Sequence, residues 1–591
     1  MNVLGGSNKL SLSVKLIEGS DNNFRDPIPT IFANRHVQNA QNVLNPSKSA
    51  FHSPYLLKNI EAAAEIFVKH ADLAHEISIL CDCDPDGFTS AALVYLYLKD
   101  LNFGGKINVL FHVAKQHGLA SDIKVPESTS LLVIPDAGSN DVMQCQELSK
   151  AMDIIILDHH ICDAPNPYAT VVNNQMCDYP NKDLSGVGIA YKFLQVVDDI
   201  LWNSYADKYL DLVALGNIAD VMDLRSPETY SFCRIGLANI QNPLMKAFME
   251  ANSFTIQSAI PTIIDVQFNF VPAMNAIIRV GTQEQKEQMF YAMVGKQESF
   301  EYTPTRGKNK GVTTTETLAQ HVVRESASAR YKQKKTKTEA IDAIQQMIEK
   351  YHWDDNKVLF CNVSGILDQS LTGVTAINLA EMYNRPCVLL RNEKAENENE
   401  QIEFGGSCRN PNYSPIPNLK QFLESTGQFI YIQGHDNAAG VRILKQNIPV
   451  AISACNEKLK DIEFNKCYFV DFDLDASVLG INLIRQIYSL RYAWGQGMEE
   501  PLLMVRNIPL ERTSMHIVGK TSNTWKYESD SGITYIRFTC PQNDPVLSWV
   551  NEAWDQSDCI YINAVCKLSV NQFQSVITPQ VHIIDCEQVV E

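Results

Sequence analysis

Between residues 77 and 160 short apolar runs stop abruptly on acids. Ile77-Ser-Ile-Leu-Cys81 leads into Asp82-Cys-Asp84-Pro-Asp86-Gly87, and Leu131-Leu-Val-Ile-Pro135 leads into Asp136. Asp153-Ile-Ile-Ile-Leu157 leads into Asp158-His159-His160. Unbroken Ile, Leu and Val runs are what a strand buried on both faces requires, and the intervals between them are long enough for crossover helices. The pattern predicts an α/β fold with a parallel sheet and acids at its strand ends. Helical spacing precedes the first run, from Pro54 to Ala74, and a helix-compatible segment follows it from near Thr89. Another helix opens at Leu184-Ser-Gly-Val-Gly188, and the almost wholly apolar segment from Asp211 ends on Asp220.

Outside this region the texture changes. A short alternation, Leu10 to Leu16, and a Pro- and Asn-rich connection holding Arg35 and His36 precede it. Residues 281 to about 350 are polar and helical, ending in the basic stretch Arg330 to Lys337. Such a run reads as a solvated face, with nucleic-acid contact as the alternative. A second α/β unit follows, with strands at Lys357–Val363 and Cys387–Arg391 and a helix from Gly373. Phe404–Asn410 and Gln433–Gly440 are glycine-bearing stretches, read either as tight turns or as phosphate cradles. Beyond Pro501 short strands at Leu502–Val505, Met515–Val518, Gly532–Phe538 and Cys559–Ile562 predict a small β-barrel. Its Trp525, Tyr527, Tyr535 and Arg537 suit a base-stacking platform or a barrel core equally. The expected division is an N-terminal segment (1–55), a catalytic domain (56–280), a helical linker (281–355), a substrate-binding domain (356–462), and a connector with the barrel (463–591).

Composition narrows the class. With 591 residues the chain is too long for one core, and 45% hydrophobic and 20% charged content are ordinary for globular protein. No unbroken apolar run approaches a membrane span, and the N-terminus lacks a signal pattern, so a cytoplasmic protein without a membrane partner is expected. Fifteen scattered cysteines, an odd number with no Cys-x-x-Cys, argue for reduced thiols and against structural zinc. Cys81 and Cys83 alternate with the aspartates and read as small buried residues. A net charge of −18 predicts a confined nucleic-acid track and dependence on divalent cations.

Three carboxylates at alternate positions repel one another unless cations neutralise them. An EF-hand is excluded, because the twelfth position from Asp82 is Leu93 where a Glu is needed, and Pro85 interrupts the loop. A phosphatase-type nucleophile at Asp82 and a plain acidic turn are the other readings of this stretch. Asp136, Asp158-His159-His160 and the buried terminus Asp220 shift the balance towards a shared site, since a carboxylate closing an apolar segment costs several kcal/mol unless paired or metal-bound.

With these motifs in order, the chain resembles the DHH phosphoesterase superfamily, and within it the RecJ-type single-strand-specific exonucleases, in a divergent, phage-like form. The second α/β unit resembles a DHHA1 domain, with Ser407-Cys-Arg409 and Gly434-His435 at its phosphate-binding motifs. Trp494-Gly-Gln-Gly-Met-Glu-Glu-Pro501 is similar to the signature that leads into the RecJ oligonucleotide-binding barrel. The resemblance runs from about Asn34-Arg35 to the barrel. It implies two divalent ions, Mn²⁺ or Mg²⁺, held by Asp82, Asp84, Asp86, Asp136, His159 and Asp220. It also implies that His160 faces the scissile phosphate with Asp158 orienting the pair, and that Ser407, Arg409, Gly434 and His435 bind substrate phosphate. The implied activity is hydrolysis of single-stranded DNA from the 5′ end, by a monomer that works with a single-strand-binding protein or a helicase. Leu80 stands where some members carry a metal-binding His, so that either Asp82 takes that duty or the first metal is held more weakly, and Gln433 replaces a glycine. Two alternatives are a phosphodiesterase for short oligonucleotides or cyclic nucleotides, and a non-catalytic scaffold that binds DNA.

Overall fold

The computed structural model describes residues 12–589 apart from 114–115, 163, 257, 308, 393–401, 413, 465, 520–521, 542–543, 552–557 and 574–575. Leu10 and Ser11 of the N-terminal alternation lie outside the described residues. The chain forms two compact units, one of Ile17–Arg330 with Asp471–Glu591, the other of Met1–Leu16 with Tyr331–Val470.

The larger unit holds a five-stranded, all-parallel sheet in the spatial order Ile107–Phe111, Ile77–Cys81, Leu131–Pro135, Asp153–Asp158, Thr170–Asn173. The three runs with unbroken apolar character are its three central strands, buried almost throughout. Of the two edge strands, Thr170–Asn173 is short, and Ile107–Phe111, as apolar as Ile77–Cys81, is only half-buried and closes on His112 instead of an acid, so a pattern of apolar runs ending on acids flags neither. All five strands run in one direction, so the acids that close the central three emerge at one edge, where ligands sit in open α/β sheets. The first crossover helix begins at Pro85, earlier than its apolar spacing predicts. Asp84 caps it, accepting the Gly87 N–H at 2.9 Å, and Pro85 occupies the first turn, where its missing N–H is harmless.

Between Ile263 and Val280 lies an 18-residue helical run that meets the length and composition of a membrane span, though Asp265, Asn269 and Arg279 interrupt its apolar residues. Half of it is buried, and Phe270, Met274 and Ile277 are wholly inside the core. It widens into a π-turn at Val266–Phe270, where Pro272 deprives the ladder of a donor.

The C-terminal part of this unit is a seven-stranded mixed sheet, ordered Phe472–Asp475, Leu503–Glu511, Cys559–Phe573, Val576–Gln588, Thr534–Arg537, Thr524–Glu528, Met515–Val518. Trp525, Tyr527, Tyr535 and Arg537 are all buried there, so they are core. Arg537 is neutralised by Asp544 at 2.6 Å and Asp585 at 3.1 Å. Among the contacts that fasten this region to the parallel-sheet region, Arg35 pairs with Asp471 at 2.6 Å, and the Leu224 N–H donates to the Gln496 carbonyl at 3.0 Å. Gly497 turns with φ +72° against Asp223, where a Cβ would sit 2.3 Å from a carboxylate oxygen. The Trp494–Pro501 segment thus braces the loop that follows Asp220.

A 34-residue helix, Leu318–Tyr351, supplies residues to both units, and most of Arg330–Lys337 on it is exposed. In the smaller unit a five-stranded sheet runs Phe429–His435, Ala438–Leu444, Glu403–Arg409, Cys387–Asn392, Leu359–Asn362, with only the last pair parallel. Phe404–Arg409 is its central strand and no tight turn. Gly406 there lies so close to the Leu389 carbonyl that a Cβ would be 1.8 Å from it.

Candidate metal centre

Each acid at the sheet edge is placed by its own backbone geometry. Asp86, in the first turn of the Pro85–Asp100 helix, is buried against the start of the Gly186–Leu201 helix. It accepts from Ser185 Oγ at 2.9 Å, Gly186 N at 2.6 Å and Val187 N at 3.3 Å, donors that carry the positive end of the helix dipole. Asp136 turns off its strand at φ +69° and is packed against Gly186, where any Cβ would come within 2.4 Å of its own. Asp158 closes the next strand. One of its oxygens accepts from the backbone N–H groups of His159 (2.7 Å) and His160 (3.1 Å) and from His160 Nδ1 (2.8 Å), and the other from the Ser139 N–H (3.1 Å). Asp220 ends the Leu210–Ala219 helix and precedes Val221, a β-branched residue at φ +57°.

These side chains converge. Donor atoms of Asp86, His159 and Asp220 lie within 4.8 Å of one another, as do those of Asp136, His159 and His160. His159 joins the two sets: its Nε2 is 3.2 Å from Asp136 Oδ1 and 3.4 Å from Asp220 Oδ2. A third set comprises Asp82, Asp84 and His117. Every acid and histidine expected at the metal site is therefore in one of these sets, with Asp158 behind them. Cys81 and Cys83 are buried, and burial pushes both thiols up, so they contribute no thiolate.

Negative charge at this edge exceeds its compensation. Burial, then Asp86 and Asp84, raise the Asp136 carboxyl well above the usual range, and burial with the same two neighbours pushes Asp220 up to about 8. Asp84 is raised by burial and by Asp86. The two histidines part ways. Burial lowers His159, which stays neutral, while the hydrogen bond that His160 donates to Asp158 raises the half-exposed His160 to about 9. Asp158 would be raised by burial, but its bonds to His160 override this and bring it to about 2. Asp136 Oδ1 and His159 Nε2 are buried without a hydrogen-bond partner among the described residues. Orphaned buried polar atoms cost about 1–3 kcal/mol each. An oxygen-rich set with one imidazole, two of whose donors lack partners, fits hard divalent cations.

Sequence patterning singles out neither His112 nor His117. Both follow the edge strand Ile107–Phe111, which it does not flag; the only available signal is a pair of histidines ahead of Gly118. In the smaller unit the four expected phosphate contacts meet at one end of its sheet. Register places Arg409 and His435 on either side of Ala438, with Gly434 opposite Ala439 and Ser407 opposite Gly440. Ser407 Oγ is 3.0 Å from Thr372 Oγ1 in the first turn of the Thr372–Tyr383 helix, and the Arg409 guanidinium lies against Gly373.

The fold and the Asp-His-His strand end define a protein of the DHH class, and the model of the DHH family N-terminal domain matches residues 76–217. The RecJ OB domain model matches residues 470–585. YorK of Bacillus subtilis, an SPbeta prophage-derived protein whose name as a single-strand DNA-specific exonuclease is itself provisional, is 34% identical over 583 residues, 98% of each chain. The chain belongs to the RecJ-like branch of the DHH family. The single-stranded-DNA-specific exonuclease RecJ of B. subtilis is 23% identical over 491 residues, 80% of this chain and 57% of its own. The crystal structure of Thermus thermophilus RecJ in complex with Mn²⁺ superposes with a TM-score of 0.67 at 17% identity, over 98% of this chain and 79% of that one.

Proposed function

We propose that the protein is a metal-dependent exonuclease that hydrolyses phosphodiester bonds of single-stranded DNA from the 5′ end. The observation that carries this reading is the orphaned pair of Asp136 Oδ1 and His159 Nε2, enclosed by acids that push Asp136 and Asp220 upward. Asp84, Asp86, Asp136, His159 and Asp220 would hold two divalent cations of the Mn²⁺ or Mg²⁺ kind, with Asp82 beside them. Such cations lower the pKa of water and draw charge from phosphoryl oxygens. The chain's own residues do the rest. Asp158 locks His160 Nδ1, so the raised imidazolium presents its other N–H outward as a donor to the phosphoryl group. Neutral His159 offers a lone pair. Ser407, Arg409, Gly434 and His435 supply donors and close backbone approach for a strand phosphate. The similarity to single-strand exonucleases supports the substrate, and the 5′ direction is what the resemblance to the RecJ type implies. A DHH phosphodiesterase for short oligonucleotides is the second reading, and the match to the RecJ OB domain weighs against it, because a small substrate needs no barrel.

Strands labelled at the 5′ or the 3′ end, offered with Mn²⁺ or a chelator, test this. The expected result is nucleotide release from the 5′ end of single strands, abolished by the chelator and lowered at least about a thousand-fold by Asp136→Ala. Digestion of short oligonucleotides alone, or full activity in Asp136→Ala, would overturn it.

A further inference from the structure

Beyond the residues so far given to metal, the geometry assigns a further ligand: we infer that His117, steered by Asp82, is a second imidazole donor of the metal centre, completing a position with Asp84. This rests on the metal-dependent reading above.

The loop that carries His117 is fixed at both ends. At its start Lys286 Nζ donates to the carbonyls of His112 (3.2 Å) and Val113 (3.0 Å), and Asp122 accepts the Val113 N–H at 2.8 Å. At its end the Gly118 N–H donates to Asp82 Oδ1 at 2.9 Å and the Leu119 N–H to Asp141 Oδ2 at 2.7 Å. Gly118 adopts φ +66° with Asp141 so near that a Cβ would lie 2.2 Å from its oxygen, so only glycine lets the loop close there. His117 is thereby held over the strand end, with its Nδ1 2.5 Å from Asp82 Oδ2. Donor atoms of Asp82, Asp84 and His117 fall within 4.8 Å of one another.

Asp82 is already engaged on both oxygens. Oδ2 takes His117, and Oδ1 takes the Gly118 N–H and faces His112 Nε2 at 3.4 Å. That His112 side chain is 1% exposed, its Nδ1 is tied to Asp122 at 3.1 Å, and its Nε2 is buried without a formed hydrogen bond. A carboxylate surrounded in this way orients a neighbouring imidazole, as carboxylates behind metal-bound histidines do. With Nδ1 turned to Asp82, His117 coordinates through Nε2. The Asp82 role thus moves from direct ligand to positioning residue, and the imidazole absent at buried Leu80 is supplied from a different strand connection.

Calorimetric Mn²⁺ titration of the full chain, with electron spin-echo detection of ¹⁴N coupled to bound Mn²⁺, tests this without reading nuclease activity. Wild type is expected to bind two Mn²⁺, and His117→Ala to weaken one site at least about ten-fold. The ¹⁴N modulation should persist in His159→Ala and vanish in the His117→Ala, His159→Ala double variant. The His117 side chain is half exposed, so its removal spares the core. His117→Gln keeps a donor to Asp82 and, combined with His159→Ala, should also lose the ¹⁴N modulation. Two unchanged sites in His117→Ala, or ¹⁴N modulation already absent in His159→Ala, would overturn the assignment. Two Mn²⁺ held through two imidazoles by a protein that leaves single strands intact would instead sink the nuclease reading alone.

Discussion

Two buried carboxylate sites in the larger unit are built on opposite terms. Glu228 is fully enclosed and fully answered: Lys192 lies at 2.7 Å, Tyr179 at 3.0 Å, Asn181 at 3.1 Å and the His52 N–H at 2.9 Å. Lys192, lowered by burial, is in turn flanked by the rings of Phe51 and Phe232 and donates to the His52 carbonyl. Asp136 and Asp220 meet mostly other carboxylates. Burial alone therefore says little about function. A buried acid whose counter-charges belong to the chain is architecture, whereas one whose counter-charge is absent from the chain marks a place for a ligand.

The largest expected effect separates the two sites by stability. Glu228→Gln leaves Lys192 buried without its partner and should cost about 3–5 kcal/mol in urea unfolding. Asp136→Asn in metal-free protein relieves repulsion and should leave unfolding unchanged or later, while nuclease activity disappears. If both variants destabilise alike, the contrast fails.

Next in size is the response to metal. Mn²⁺ at a hundred times its Kd should stabilise wild type by about 2.7 kcal/mol. Glu228→Gln should keep that increment and Asp136→Asn should lose most of it, read from the shift of the urea midpoint.

The last effect is in pH, read as a slope across a window and not as a single midpoint. Asp220 is raised from 3.8 to about 8 in the folded protein, so the native state holds a proton that the unfolded state releases. Its contribution to stability is complete below about pH 4 and is lost as pH rises through about 8. Metal-free wild type should weaken over that window, Asp220→Asn should flatten the slope, and Mn²⁺ should abolish it. A slope that persists in Asp220→Asn would move the proton elsewhere.

Much of this is legible in the residues alone. The central strands could be read because burial on both faces forces unbroken Ile, Leu and Val, and the acids stood out because nothing else in a core tolerates them. Ile107–Phe111 is as apolar as Ile77–Cys81 but closes on His112 and not on an acid, and Thr170–Asn173 is short, so both pass unread, and with the first of them His112 and His117. The helix onset at Pro85 was written in the Asp-Pro pair, a capping signal that outranks apolar spacing. Aromatics in the C-terminal sheet could not be assigned from sequence, since a stacking platform and a barrel core use the same residues; only their burial decides.

The bond between Leu224 and Gln496 bears on how this protein can be cut and recombined. A chimera that exchanges the C-terminal module at residue 470 discards the splint under the Asp220 turn, whereas one joined after Pro501 carries it along. Modular boundaries drawn from sequence matches would place that seam on the wrong side of the reaction centre's own scaffolding.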